Sequence, residues 1–341
     1  MTPAAVRPSR DSSVLDQEWP APIVSMEEIG RHAPWLHEEG GMLLAFAPPR
    51  LIDVAALVTS QENACRFCYG ALRAMMRISG YSDEQILNLE RDVQLADGLT
   101  HEVVSLARKL AKSSPRPVRE ELAALERHGL DAKAVAEIVF LIASTCFGNR
   151  VGTFLALPPE RNLERAAESW VGRLFGSVLL KASHMKTRRV GPSTPVVAEG
   201  VLAPLIRQLP DAPIAAWFAR LVGECFGAPA LPRRTKLLIL AVVARTLGCN
   251  FCEEAARIDL QDSGLDRHDF RRILETLSGP ELTATEGRIL DWARETVHYQ
   301  TGIIQKRTRA LAAEVGVGVL LEAVGTAALS NTAVRLAMLL E

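Results

Sequence analysis

The chain has 341 residues, 48% of them hydrophobic and 23% charged. That is the make-up of an ordinary globular protein, long enough for about two domains of roughly 100 to 200 residues each. Its 39 basic and 40 acidic residues nearly cancel, which excludes a global field that recruits nucleic acid or an anionic membrane, so neither is expected as a partner.

Residues 1–22 carry Pro, Ser and Arg without the apolar core of a secretory leader and are expected to form a disordered tail. A first helical repeat is expected over 23–165. It contains a Pro-led apolar run, "PPRLIDVAALV", and then "ACRFCYGALRAMMRISGYSDEQILNL", in which Cys65-x-x-Cys68 opens a helix. Asn63 is expected to cap that helix and Gly80 to end it in a left-handed turn. Ser82 with Gln85 reads as a capping box for the next helix. The segments "LTHEVVSLARKLA" and "DAKAVAEIVFLIASTCFGNRVG" complete the repeat.

Residues 166–215 read as a connecting helix, "AAESWVGRLFGSVLLKAS", and a linker, "HMKTRRVGPSTP". Over 216–341 the same parts return in order. A second Pro-led run, "LPRRTKLLILAVVA", precedes "GCNFCEEAARIDLQDSGLDRHDFRRIL", which puts Cys249-x-x-Cys252 in the slot that Cys65-x-x-Cys68 holds in the first half. Gly264 is the matching helix stop, and Thr283 with Glu286 a matching capping box. "LTATEGRILDWARETV" and "LLEAVGTAALSNTAVRLAMLL" answer the last two helices of the first half. Apolar residues three and four apart, with few β-branched alternations, predict an all-α fold in two tandem halves. The longest unbroken apolar stretch, Leu237 to Ala244, is far short of the roughly 20 residues that span a bilayer.

Six cysteines without a secretory leader point to a cytoplasmic setting, where cysteine pairs serve redox or metal chemistry more often than structural stapling. At a helix N-terminus the free N–H groups and the macrodipole favour a thiolate. A second thiol three residues on can resolve the oxidised first as a disulfide. Four-thiolate zinc ligation by both pairs is the metal alternative, and two buried small residues the structural one. Cys146 and Cys225 stand alone in apolar surroundings and read as buried small side chains. Phe67 and Phe251 are expected to pack under the motifs. Arg66, Arg73 and Arg77 read as a solvated helix face, with attraction of an anionic substrate as the alternative. His101, His128, His268 and His298 hold no fixed spacing to either dithiol and read as surface or capping residues.

The order of parts, a Pro-led apolar helix, Cys-x-x-Cys opening the next, a Gly stop and a helical tail ending in Asn and Arg, resembles the alkylhydroperoxidase D and carboxymuconolactone decarboxylase superfamily, here as a tandem duplication. The resemblance spans about residues 40–160 and 220–341 and implies two alkylhydroperoxidase D-like helical domains that commonly form homo-oligomers. The dithiols place the chain nearer the peroxidase branch. That branch implies a thiol-dependent oxidoreductase acting on a small hydroperoxide or disulfide, recycled by a dithiol reductant protein, with no bound cofactor. By the resemblance Cys68 and Cys252 attack, while Cys65 and Cys249 resolve; helix-end physics instead favours Cys65 and Cys249 as thiolates. The branch's Glu, twelve residues before the first Cys, is Asp53 in the first half and Leu237 in the second. Its His, four residues after the second Cys, is Leu72 and Ala256, neither of which can transfer a proton. The alternative is a non-peroxidase member of the fold that binds or converts a small metabolite. With Asp53 and Arg66 beside the first dithiol and Glu253 and Glu254 beside the second, the first is expected to be the more reactive.

Overall fold

The computed structural model describes residues 21–36, 44–91, 98–112, 118–159, 198–209 and 212–339. Among them are fifteen α-helices, one 3-10 turn and no strand, as the apolar periodicity predicts. Most of the expected tail, and both the connecting helix and the linker at 184–195, lie outside the described residues.

The first half opens with α1 (Met26–His32), where Ser25 and Glu28 form a reciprocal capping box, and a 3-10 turn at Pro34–Leu36. Helix α2 (Pro49–Glu62) begins with Pro49, whose fixed φ and missing N–H suit the first helical position. Helix α3 (Arg66–Ile78) follows. Asn63 closes α2 rather than capping α3: the cap is Cys65 itself, whose sulfur accepts the Cys68 N–H. The correction has a physical reason, since Asn63 is buried and its amide is taken up by other side chains. Gly80, at φ 95°, ends α3 as expected. The Ser82–Gln85 box then starts α4 (Asp83–Arg91). Helices α5 (Gly98–Ala111), α6 (Arg119–Arg127) and α7 (Ala132–Phe154) complete this half.

The second half comprises α8 (Ala203–Gln208), α9 (Ala212–Gly227), α10 (Arg233–Leu247), α11 (Asn250–Asp262), α12 (Arg267–Thr276), α13 (Ala284–His298), α14 (Thr301–Val315) and α15 (Val317–Ala337). Helix α9 runs across the boundary expected at 215/216. Gly264, at φ 89°, and the Thr283–Glu286 box stand where the sequence predicts them. Cys249 caps α11 as Cys65 caps α3.

Helices α7 and α15 form the most extensive pair, with α2 laid on α7 and α10 on α15. Both are apolar all round, the pattern of a helix buried on every side. Their length and composition would also let them cross a bilayer, although 83% of the apolar window of each is buried here among other helices. Their unbroken apolar runs are short, Ile138 to Ala143 being the longest, because Gly, Ser, Thr and charged residues interrupt the large side chains. The two halves thus bury their last helices against each other.

Each central helix carries one buried acid and one buried base. Glu137 accepts the N–H groups of Ala45, Phe46 and Ala47 at 2.6, 2.9 and 2.6 Å, tying the lead-in of α2 to α7. Glu322 does the same for Ala230 and Leu231 before α10, at 2.7 and 2.8 Å, and also pairs with the buried Lys236 at 2.7 Å. Arg335 donates to the carbonyls of Leu110 and Lys112 at 2.9 and 2.8 Å, filling acceptors that the C-terminal end of α5 leaves open.

Candidate functional site

Two thiols meet at the start of α3. The Sγ atoms of Cys65 and Cys68 lie 2.7 Å apart, and the Cys68 N–H points at the Cys65 sulfur over 3.3 Å. Helix α7 passes directly behind. A Cβ built at Gly152 would sit 3.3 Å from the Cys65 sulfur and 3.6 Å from the Phe67 ring, so glycine is what lets the thiol lie against the helix.

Around the pair runs a buried polar network that joins three elements. Asn149 donates to Ser60 Oγ of α2 at 3.0 Å and accepts from Asn63 at 3.0 Å, while Asn63 also reaches the Cys146 sulfur at 3.4 Å. From the other half, Tyr299, between α13 and α14, places its hydroxyl 2.9 Å from the Asn149 carbonyl and 2.8 Å from Thr153 Oγ1. The Arg150 guanidinium lies over the Tyr299 ring at 4.9 Å and donates to the Cys146 carbonyl at 3.3 Å. Its Nε and Nη2 are buried with no partner among the described residues. An uncompensated buried cation is costly, and negative charge developing nearby would relieve it.

The two thiols are set apart by their surroundings. Burial drives Cys65 up, but hydrogen bonds from the Cys68 side chain and backbone, the Thr153 hydroxyl and the Phe67 N–H hold it below the ordinary thiol value. Cys68 is pushed well above that value, first by the bond to Cys65, then by burial and by the charge on Cys65, against a weaker opposing bond from Asn149. Tyr299 is likewise raised well above an ordinary phenol, by burial first and then by Cys65, with Arg150 opposing. Cys65 is therefore the more acidic thiol of the pair, and Cys68 and Tyr299 hold their protons more tightly.

A cavity of about 330 Å³ opens onto Cys65. Arg66 and Phe67 line it from α3, Thr153 from α7, and Thr301 and Gln305 from α14. Phe67 is thus part of the wall rather than packing beneath the motif. Both halves contribute to one chamber, and Gln305 fastens them by donating to the Thr153 carbonyl at 3.0 Å.

The remaining predicted site residues fall elsewhere. Cys249 and Cys252 are buried, with the Cys252 N–H 3.4 Å from the Cys249 sulfur. The carboxylates beside them do not face the thiols unopposed: Glu253 grips Arg245 at 2.6 and 2.9 Å, and Glu254 grips Arg257 at 2.6 and 2.8 Å. That corrects the expected charge penalty at this site. Arg73 binds Tyr69 and Glu90, and Arg77 binds Asp83, so of the three expected as one face only the exposed Arg66 reaches the cavity. Asp53 sits half-buried on α2, near enough to Tyr81 for its charge to raise that phenol behind the larger effect of burial. Neither Asp53 nor any of the four histidines is among the groups acting most strongly on the Cys65 or Cys68 thiol. Cys146 and Cys225 are fully buried, as read from the sequence. Among the described residues no three His, Cys, Asp or Glu side chains gather as a metal-ligand set, so the four thiolates do not converge on one zinc.

Sequence reasoning missed Thr153, Tyr299 and the buried acid and base of each central helix. The last had a signal: Glu322 follows Glu137 at the same interval by which Arg335 follows Arg150, as charges repeated within otherwise apolar helices. Compared with protein-family models, with curated proteins and with solved structures, the chain gives no match.

Proposed function

We propose that this protein is a thiol-dependent oxidoreductase of alkylhydroperoxidase D-like fold, duplicated in tandem, which reduces a small hydroperoxide or disulfide at Cys65 and Cys68. The observation that carries this reading is the adjacency of two free thiols, 2.7 Å apart, at a cavity. With a hydroperoxide, Cys65 gives up its proton and the resulting thiolate attacks the distal oxygen. The O–O bond breaks, sulfur becomes a sulfenic acid, and the alkoxide takes the proton that Cys65 gave up and leaves as an alcohol. Cys68 then attacks the sulfenic sulfur, the S–O bond breaks, and water departs with the Cys68 proton. A dithiol reductant protein returns two electrons and two protons to the disulfide. This assignment favours the helix-end thiolate, Cys65, over the nucleophile implied by the family resemblance, Cys68. Such a cycle suits a reducing, cytoplasmic compartment.

The test is thiol titration of the reduced protein before and after cumene hydroperoxide. Loss of about two thiols per chain, with a Cys65–Cys68 disulfide found by peptide mass spectrometry, is expected. An unchanged thiol count overturns the proposal.

One observation favours a second reading, a non-peroxidase member of the same fold that holds or converts a small metabolite. A cleft of about 570 Å³, lined by the apolar Pro48, Leu51, Val54, Leu89 and Leu99 and by the polar Arg50, Tyr81, Gln85, Asn88 and Thr100, contains no cysteine. It falls in the size range of small-molecule sites. A metabolite retained in native mass spectrometry after all four motif cysteines are changed to Ser would establish it.

A further inference from the structure

The dithiol lacks the Glu and His through which the resembled branch moves protons, yet the chemistry above needs one proton carried from the Cys65 sulfur to the departing alkoxide. Thr153 lines the same cavity as Cys65, one residue after Gly152, and its hydroxyl is among the hydrogen-bonding groups that act on the Cys65 thiol. A hydroxyl can accept one proton while donating another. Behind it stands Tyr299, whose single phenolic proton can go either to Thr153 Oγ1, 2.8 Å away, or to the Asn149 carbonyl, 2.9 Å away. These two choices are the two states that a relay needs. When Tyr299 donates to Thr153, the threonine proton is free to point at a thiolate. When Tyr299 turns to Asn149, the threonine proton can turn to the phenol instead.

We infer that Thr153 and Tyr299 are the proton-handling pair of the Cys65 dithiol, Thr153 touching the reacting sulfur and Tyr299, supplied by the other half of the chain, positioning the threonine proton. The inference rests on the thiol-redox reading. In the balanced step, the Cys65 S–H bond and the peroxide O–O bond break, and an S–O bond and an alcohol O–H bond form. Sulfur is oxidised and the peroxide reduced, and the proton that leaves sulfur reaches the alkoxide by way of Thr153. Tyr299 stays protonated throughout, in keeping with its burial and with its raised pKa. The arrangement occurs once. The position that answers Thr153 in the second half is Met338, which can neither donate nor accept as a hydroxyl does.

Among the described residues, the charged and titratable groups that bear on Cys65 are Cys68 on α3 and Tyr299, with Arg66 on the same cavity wall and Arg150 stacked over the Tyr299 ring. The test holds all of these fixed except the hydroxyls. Full-length Thr153→Val, Thr153→Ser and Tyr299→Phe proteins are reduced, and iodoacetamide labelling of the Cys65 peptide is followed by mass spectrometry across pH 5 to 10. Thr153→Val is expected to move the labelling midpoint up by about one pH unit, or roughly tenfold slower labelling near neutrality, and Tyr299→Phe by about half as much. Thr153→Ser, which restores the hydroxyl, is expected to restore the wild-type profile. Tyr299→Phe keeps the ring under Arg150 and against Phe154, so it carries the test even if Thr153→Val does not fold. Profiles of Thr153→Val and Tyr299→Phe that superimpose on the wild type overturn the inference, as does a Thr153→Ser profile matching Thr153→Val. Consumption of cumene hydroperoxide by the wild-type protein is read in parallel. If it is absent while the labelling shifts appear, the pair is upheld and the redox reading falls.

Discussion

The two Cys-x-x-Cys motifs occupy the same place in matching helices but not the same environment. In both, the first cysteine caps its helix and accepts the N–H of the second. What differs is the wall behind. Helix α7 offers Asn149, Gly152 and Thr153 to Cys65 and Cys68, while the matching positions at and just past the end of α15 are Val334, Ala337 and Met338. Tyr299 and Arg150 add a phenol and a buried guanidinium, two of whose nitrogens have no partner among the described residues, to the first site. Cys249 and Cys252 pack into the hydrophobic core, Cys249 with the same 1% exposure as Cys65. A cysteine's reactivity comes from the donors and space around it, not from its motif.

Removing one sulfur from each site divides the comparison most sharply. Cys68→Ser and Cys65→Ser are expected to lower hydroperoxide or disulfide turnover by at least about a hundredfold, whereas Cys252→Ser leaves it within about twofold. Steady-state consumption with a dithiol reductant measures this, and equal losses from Cys68→Ser and Cys252→Ser would erase the distinction between the sites.

The structural anchors of the two halves differ in the opposite sense. Lys236→Met strands the buried Glu322 carboxylate and should cost about 3 to 5 kcal/mol of stability. Glu137 is held by three N–H groups, and Glu137→Gln, which keeps one acceptor oxygen, should cost about 1 to 3 kcal/mol. Urea denaturation midpoints of the two variants would test the order; a larger loss from Glu137→Gln contradicts it.

Gly152→Ala probes the close approach at the first site. Its Cβ would press on the Cys65 sulfur at 3.3 Å, and a turnover loss of roughly three- to tenfold is expected with little change in stability. Unaltered turnover would mean that the thiol has room to move aside.

The smallest effect concerns a cysteine outside both motifs. Burial raises Cys225 to about 12, with Thr326 and Lys236 opposing. The folded chain therefore keeps that proton where the unfolded chain, near 9.0, has lost it. Native stability contributed by this group is complete below pH 9.0 and declines as pH rises toward about 12. Comparing the alkaline slope of stability with that of Cys225→Val checks it: the slope should be shallower in the variant.

Much of the local structure was legible because it depends on short-range chemistry. The Gly80 and Gly264 stops and the capping boxes at Ser82 and Thr283 stand where glycine's conformational freedom and a hydroxyl three residues before an acid or amide require them. Asn63 was misread because a polar residue before a helix can cap it or be drawn away, and only the presence of Asn149 and Cys146 across the core decides. Likewise Glu253 and Glu254 read as a burden on their dithiol until Arg245 and Arg257 are seen to hold them.

By itself the sequence determined the all-α class, the recurrence of parts at a fixed interval and the candidate thiols, since each follows from periodicity, capping or residue type. Tertiary structure decided which sulfur is the more acidic and which hydroxyls stand near it. Tyr299 meets Asn149 and Thr153 across 150 and 146 residues of chain, a distance over which no local pattern carries information. Only the packing of α7 against α15, with α14 closing over the end of α7, brings that phenol to the first dithiol.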